Sequence, residues 1–371
     1  MKKILFINGS ASPLKCGVGF YGERLINELA KTADVHLLTT APCGIETIKS
    51  GKLHHVNKWG IMSLHKIAKK VAKVSPDVIH IQYPAAGFGR QLGINLLPLY
   101  LRIFYRKAPI VLTLHEYHSS ALLGRIRTVI TALFVQKIIV SNSSDKQALP
   151  SLFKNRVEVV PIGSNIKKVA KNQKTFTALL KKYDLDGALP TVVYFGFTNQ
   201  AKGVHVLAEA AARIQANLLL LTELNAGDPY QKRVLDAVEV AKKSGGMVAV
   251  MGYLSDIEVS EVLQASDFFV LPQPLPITAK SGTTIAAVQH SVVIVSTASA
   301  DTDLNLPYVN GKNSVLLSDM NATALAAVIN NIIGDPGQLG VIKDNLPALQ
   351  EYFSWNNIAK EHVQLYDALG D

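Results

Sequence analysis

Lys202 and Lys280 are the residues from which a chemistry can first be argued. Lys202 lies in Tyr194-Phe195-Gly196-Phe197-Thr198-Asn199-Gln200-Ala201-Lys202-Gly203, and Lys280 in Thr278-Ala279-Lys280-Ser281-Gly282-Thr283-Thr284. Each stretch follows an apolar run of strand length and precedes a helical pattern, which predicts a strand, a loop and a helix N-terminus. Such a junction offers unpaired backbone N–H groups and the positive end of a helix dipole. A lysine makes it an anion cradle, and two cradles on one parallel sheet suit a diphosphate. An ordinary strand-to-helix turn has the same outline, so neither stretch alone assigns a ligand.

Two further stretches carry candidate groups. Cys16-Gly17-Val18-Gly19-Phe20-Tyr21-Gly22 contains a formal G-x-G-x-x-G. A dinucleotide fingerprint also needs an acid at the end of the following strand to hold the ribose. That strand ends Leu37-Leu38-Thr39-Thr40, with no acid, which argues against a nicotinamide cofactor. A glycine loop that lets backbone approach a ligand survives the objection. His115-Glu116-Tyr117-His118 follows an apolar run, at the strand end where ligands meet open parallel sheets. It is not H-E-x-x-H and no third metal ligand is evident. His115 there is placed to hydrogen-bond a ligand hydroxyl or steady a charge, or is a structural histidine. Gln82 and Tyr83 end the neighbouring strand and are weaker candidates.

The elements that must position these groups alternate. Apolar runs at Lys3–Gly9, Asp34–Thr40, His54–Trp59, Val78–Tyr83, Ile110–His115, Lys137–Ser141 and Val157–Ile162 predict strands, with helices over Val18–Ala30, Ile61–Val74 and Gln91–Tyr105. This is a doubly wound parallel sheet. Lys167–Pro190 breaks the pattern as a lysine-rich linker with one helix. Alternation resumes from Thr191 with strands at 191–197, 216–222, 247–252, 267–272 and 292–297 and helices at 203–214, 229–243, 256–265 and 283–290. Phe353-Ser354-Trp355-Asn356-Asn357 opens a last helix with Ser354 as its N-cap.

Size and composition agree with two globular domains. The chain has 371 residues, 48% hydrophobic and 18% charged. Cys16 and Cys43 make neither a disulfide framework nor a metal-type pair, which fits a reducing cytoplasm. The N-terminal apolar run is too short for a signal peptide and no run suits a spanning helix. Residues 1–165 hold 22 basic and 8 acidic residues, a net +14; residues 166–371 hold 16 and 20, a net −4. A basic first half predicts an anionic surface as its partner. No nucleic-acid motif appears. An anionic membrane is the alternative, met by the lysines of 61–73 and by Leu96, Leu97, Leu101, Ile103 and Phe104 of 91–107.

The stretch Gly196–Gly203, with its G-x-x-x-x-x-K-G spacing, resembles family 4 of the retaining glycosyltransferases. Further landmarks fall in family order: the Gly17–Gly19 loop, Val111–His115, Ile139-Val140-Ser141, Val160–Asn165, Gly252–Asp256, Ala265–Pro272, Asn310–Asn313 and the Ser354-Trp355 helix. The resemblance covers nearly the whole chain. It implies the α/β GT-B architecture: two facing Rossmann-like doubly wound domains, with a C-terminal helix crossing back. The implied domains are 1–165 on the acceptor side, a linker at 166–190, a nucleotide-sugar donor domain at 191–350, and 351–371 as the helix packing back on the first domain. It further implies that Lys202 contacts the donor diphosphate, that Gly17 and Gly19 close over it, and that His115 sits near the transferred sugar.

The chain departs from the family pattern twice. The lysine loop offers Phe197 and Asn199 where most members have an arginine. The paired glutamates are replaced by Thr278 and Ala286, as in a variant branch with Lys280-Ser281-Gly282-Thr283 at this turn. Lys280 could replace the arginine's charge; Glu223 and Glu258 are the nearest guesses for a ribose contact. The expected activity is retaining transfer of a sugar from a nucleotide-sugar to an acceptor hydroxyl, in polysaccharide, glycan or glycolipid assembly. His115, Lys202 and Lys280 are the expected catalytic residues, and Gly17, Gly19, Asn199, Lys202, Lys280, Ser281, Gly282, Thr283 and Thr284 the expected donor-binding residues. No metal or cofactor is expected, since no Asp-x-Asp appears. Expected partners are the donor, a glycan or lipid-linked acceptor and an anionic membrane surface, with no nucleic acid; the expected location is cytoplasmic, peripheral at the inner face of the membrane. A catalytically inactive GT-B regulatory subunit is the competing expectation, and a nucleotide-sugar epimerase a third.

Overall fold

A computed structural model describes residues 1–14, 16–41, 52–298 and 307–369; Cys43 lies outside the described residues. In chain order the first elements are β1 (Lys3–Asn8), α1 (Gly17–Leu29), β2 (Asp34–Thr40), β3 (Lys52–Val56), α2 (Leu64–Val74), β4 (Val78–Tyr83), α3 (Gly93–Phe104), β5 (Ile110–Leu114), α4 (Leu122–Ala132), β6 (Lys137–Val140), α5 (Ser143–Ala148) and β7 (Val157–Val159). Then follow α6 (Gln173–Lys182), β8 (Thr191–Phe195), α7 (Val204–Ala210), β9 (Asn217–Leu221), α8 (Pro229–Lys243), β10 (Val248–Val250), α9 (Asp256–Ala265), β11 (Phe268–Leu271), α10 (Gly282–Gln289), β12 (Val293–Thr297), β13 (Val315–Leu317), α11 (Ala322–Ile333), α12 (Pro336–Tyr352) and α13 (Trp355–Asp367). They form two units: Met1–Asn165 with Trp355–Asp371, and Ile166–Ser354.

The first unit holds a parallel sheet in the order β3-β2-β1-β4-β5-β6-β7. Side chains alternate across β1. Leu5 and Ile7 pack with Ile67, Val71, Ile94 and Leu97 of α2 and α3. Ile4 and Phe6 pack on the other face with Leu25 and Ile26 of α1 and Ile358 and Tyr366 of α13. All six residues of β4 are buried, as a central strand covered on both faces requires. Each large apolar side chain so buried contributes roughly 1.5–3 kcal/mol. The last helix is anchored by its first residue: the Trp355 indole donates to the Ser164 carbonyl at 2.8 Å. A Cβ on Gly163 would stand 2.5 Å from the Trp355 ring, so the glycine there makes room for the indole.

The second unit repeats the plan, with order β10-β9-β8-β11-β12-β13. Both sheets therefore have a switch point, at β1/β4 and β8/β11, where neighbouring crossovers leave in opposite directions and ligands characteristically bind. Ser255 and Glu258 form a capping box that starts α9.

Several expectations shift. The third strand is Lys52–Val56, paired along β2 up to Thr40, so Trp59 falls in the loop after it and is fully buried. Residues 61–63 form a 3₁₀ turn before α2. The segment 166–190 is not a free linker: Phe176 and Leu180 of α6 are buried and the Val169 N–H donates to the Ser260 hydroxyl at 3.0 Å, which ties it to the second unit. Residues 351 and 352 end α12, so the returning helix starts at Trp355. Of the apolar residues expected at a membrane, Leu97 and Leu101 are core, whereas Ile103 and Phe104 are exposed. Among the described residues no helix is long and apolar enough to cross a membrane.

Candidate functional site

The candidate residues divide between the two switch points. In the second unit, Gly203 closes the 3₁₀ turn Gln200–Lys202 with φ +65°, and a Cβ there would stand 2.0 Å from the Pro272 carbonyl oxygen. Only glycine fits both conditions. The loop after β8 is thereby laid directly on the loop after β11. A second meeting point lies at Gly196, φ +141°, whose Cβ position is 3.3 Å from the Thr283 methyl group. The two predicted cradles, far apart in the chain, thus adjoin at the switch point of one sheet. The first loop is pinned internally: the Tyr194 hydroxyl donates to the Phe197 carbonyl at 2.7 Å, and the Thr198 and Thr222 hydroxyls pair at 3.0 Å.

Lys202 is half-buried in this loop, and among the described residues it makes no ion pair. Burial alone holds its ammonium below the usual lysine range. A cation desolvated without a carboxylate is unfavourable by itself and favourable once an anion arrives. Asn199 is exposed, and its carbonyl accepts the Lys202 N–H at 3.0 Å. On the facing loop Ser281 caps α10: its hydroxyl accepts from the Thr284 N–H at 3.4 Å and from the Thr284 hydroxyl at 2.8 Å. The Thr283 hydroxyl lies 3.3 Å from that of Ser281. The Thr284 N–H is thus occupied, and the amide contribution expected of Gly282–Thr284 narrows to Gly282 and Thr283. Gly282 is exposed with nothing within 4 Å of its Cβ position. Lys280 is half-buried, its N–H donating to the Thr278 hydroxyl at 3.4 Å.

The positions of the missing glutamates differ in kind. Thr278 is exposed, whereas Ala286 is fully buried. Neither guessed ribose ligand gains support. Glu258 accepts both the N–H and the hydroxyl of Ser255, at 2.8 and 2.7 Å, so it is spent on the helix cap; Glu223 is exposed. Among the described residues no three His, Cys, Asp or Glu are grouped to hold a metal.

In the first unit the three glycines of the α1 loop separate. Gly19 is buried, its Cβ position 3.2 Å from Ser10, and that of Gly22 is 2.4 Å from the Asn8 amide. Both serve close packing of α1 on the end of β1. Gly17 is exposed, with nothing within 4 Å of its Cβ position, so packing does not explain it. Cys16, before it, is the N-cap of α1 and provides no side-chain cap. Burial pushes its thiol up, but hydrogen bonds involving the Ala86, Gly19 and Val18 backbone and the Ser10 side chain outweigh this, and the net shift is down.

His115 is buried at the end of β5, and its Nε2 lies 2.7 Å from Oε1 of Gln82, an acceptor. Gln82 therefore turns its amide NH₂ toward Nε2 of His80, at 3.2 Å, which the Thr113 hydroxyl also reaches at 2.7 Å. Two donors on that nitrogen put the His80 proton on Nδ1, which donates to the Tyr366 hydroxyl of α13 at 2.5 Å. The chain Tyr366–His80–Gln82–His115 ties the last helix to the candidate histidine. Burial, with the nearby His362 and His115, holds His80 well below the usual histidine range and neutral. Gln82 is a candidate from sequence, whereas His80 and Tyr366 emerge from the fold. The signal for His80 is present in Val78-Ile79-His80-Ile81-Gln82-Tyr83, two polar residues at alternate positions of a strand buried on both faces.

Residues 189–335 match the family model for group 1 glycosyl transferases. No curated protein matches the chain. Among solved structures, a glycosyltransferase from Rickettsia africae superposes with a TM-score of 0.75 at 16% identity, covering 99% of this chain and 98% of its own. The Anabaena protein HepE, in complex with UDP and glucose, gives 0.68 at 18% identity over the whole of both chains. A UDP-GlcNAc 2-epimerase from Neisseria meningitidis, bound to UDP-GlcNAc, gives 0.61 at 12% identity over 98% of each. The fold is GT-B. The matched domain and this fold together support a GT-B glycosyltransferase, and the epimerase shows that the fold by itself does not select the reaction.

Proposed function

We propose that the protein transfers a sugar from a nucleoside-diphosphate sugar to an acceptor hydroxyl, with retention of configuration. The carrying observation is Lys202: a half-buried cation with no ion pair among the described residues, on a loop locked by Gly203 against Pro272 at the switch point of the second sheet. A donor diphosphate supplies the missing negative charge. Gly282 and Thr283 at the start of α10 offer backbone N–H groups beside it, and Lys280 adds a second charge in place of the family's arginine. Preorganised donors of this kind each account for roughly 10²–10³ in rate. Phe197 and Tyr253, 90% and 80% exposed on loops at the same sheet edge, offer stacking faces for the base.

In the first unit, Gly17 leaves backbone open to a ligand, and His115 is held by Gln82 in a fixed orientation at the carboxyl end of its own sheet. The leaving diphosphate is stabilised by lysines and amides, which removes the need for a metal at this step. The acceptor is a glycan or lipid-linked hydroxyl. The test is isothermal titration with UDP, GDP and ADP, then donor turnover with and without acceptor. Tight binding of one diphosphate, with release of it only when acceptor is present, is the expected result. Binding without turnover points to the inactive regulatory subunit, and donor conversion without acceptor to an epimerase.

A further inference from the structure

Helix α4 departs from the usual pattern in its first turns. Its buried positions include Thr128 and Thr131, and the Asn95 amide of α3 donates to the Thr131 hydroxyl at 3.0 Å. The Arg127 guanidinium in turn donates to the Asn95 side-chain oxygen at 3.1 Å. Three apolar side chains of its first turns point outward: Leu122, Leu123 and Ile126 are 75%, 69% and 48% exposed, whereas Ala132 and Val129 further along pack on the core. A helix packed only against its own domain puts its apolar stripe inward.

The neighbouring helix starts continue the pattern. Ile61 and Met62, before α2, are 53% and 93% exposed, and Leu92, before α3, is 50% exposed. Three contacts bring these ends together. The Trp59 N–H donates to the Gln91 side-chain oxygen at 2.8 Å, and the Arg127 guanidinium donates to the Gln91 carbonyl at 3.1 Å. Gly93 sits so close to Trp59 that a Cβ would stand 2.2 Å from its carbonyl oxygen. The result is an aliphatic rim at the N-terminal ends of α2, α3 and α4, the end of this sheet where His115 lies.

The charge around the rim has one sign. No residue of α2, α3 or α4 is a carboxylate; the exposed Lys58, Lys66 and Arg90 lie by the helix starts, and Lys69, Lys70 and Lys73 continue the exposed positive face along α2 to its last turn. Glu116, in the loop entering α4, is the exception. The cores of protein–protein interfaces are enriched in aromatic residues, and this rim has none. Aliphatic side chains bordered by cations complement an interface that is apolar beneath and anionic at the headgroups.

We propose that this rim docks the protein on an anionic bilayer, with Leu122, Leu123, Ile126 and Met62 at the acyl boundary and the lysines among the headgroups. Docking stands independently of the transferase reading; that the acceptor hydroxyl is carried on a lipid rests on that reading.

The full chain is co-sedimented with vesicles of phosphatidylcholine alone and of phosphatidylcholine with phosphatidylglycerol, at low and high salt. The double variant Leu122→Glu/Leu123→Glu and the control Val240→Glu, which alters an exposed residue of the second unit, are run alongside, with thermal midpoints to confirm folding. Expected are binding to the anionic vesicles that salt weakens, about tenfold weaker binding of the double variant, and no change in the control. No pelleting with either vesicle, or equal binding of the double variant and the unaltered chain, overturns the proposal. So does a dimer in sedimentation velocity that the double variant dissolves without any vesicle binding. Since pelleting is read without nucleotide, a chain that docks but transfers no sugar counts against the transferase reading alone. One that glycosylates a soluble acceptor without docking counts against docking alone.

Discussion

In the first unit the polar side chains leading to the carboxyl end of the sheet are buried and bonded to one another, from Tyr366 through His80 and Gln82 to His115, and burial keeps His80 neutral. At the same end of the second sheet the key group is Lys202, half-buried, cationic and without an ion pair among the described residues. Both ends sit on one strand order and both have loops sealed by glycine: Gly87, whose Cβ would strike the Gly9 carbonyl oxygen at 1.6 Å, and Gly203 against Pro272. The frame is thus common and the chemistry is not. A self-satisfied network holds a shape, whereas an unpaired charge waits for a counter-ion. On the function proposed above, anion binding falls to the second unit, and the first supplies the buried network that orients His115, together with the apolar rim.

The largest expected effect tests the neutrality of the first unit. His362 of α13 is fully buried. Its Nδ1 donates to the Ile358 carbonyl at 2.7 Å, and its Nε2 has no partner among the described residues. Burial pushes its pKa down to about 4. The unfolded chain takes up a proton on this residue below about pH 6.5, and the folded chain refuses it until about pH 4. Its contribution to stability is therefore complete above pH 6.5 and is lost as pH falls to 4, a loss of about 3 kcal/mol. Urea unfolding across that window shows this slope, and His362→Leu reduces it, the buried His80 keeping a share of its own. An unaltered slope in the variant means that the burial of His362 is not what sets acid sensitivity.

The next effect tests the charge of the second unit. Lys202→Ala weakens nucleoside diphosphate binding by roughly 1.5–3 kcal/mol, about 10–150-fold by titration calorimetry. Lys280→Ala slows sugar transfer about tenfold or more while costing less in free diphosphate affinity, because its charge acts on the leaving group. Equal affinity in Lys202→Ala removes the contrast between the two ends. Full turnover in Lys280→Ala makes that lysine a surface residue.

The smallest effect sharpens the division inside the α1 loop. Gly17→Ala leaves thermal stability within about 0.5 kcal/mol, since its Cβ meets nothing. Gly19→Ala is less well tolerated than Gly17→Ala, since its Cβ stands 3.2 Å from Ser10, which must give way. A stability loss in Gly17→Ala equal to that in Gly19→Ala would make both glycines packing residues and leave the loop without a ligand-facing position.

What the sequence by itself determined is local. Strand–helix alternation, the bounds of α8 and α9 and the lysine turns are legible because side-chain period and turn composition act over a few residues. The Ser255–Glu258 capping box belongs to the same class. It was open to a sequence reading, and recognising it would have removed Glu258 from the ribose candidates. What only the tertiary structure decided involves partners distant in the chain. Gly196 meets Thr283, Gly203 meets Pro272, Gly163 makes room for Trp355, and His80 bonds Tyr366. Each pairing depends on which strands are neighbours and which helix returns, and no local pattern carries that information. The same holds for exposure. Leu97 and Leu123 look alike in sequence, yet α3 turns one into the core while the threonine–asparagine contact between α3 and α4 turns the other toward solvent.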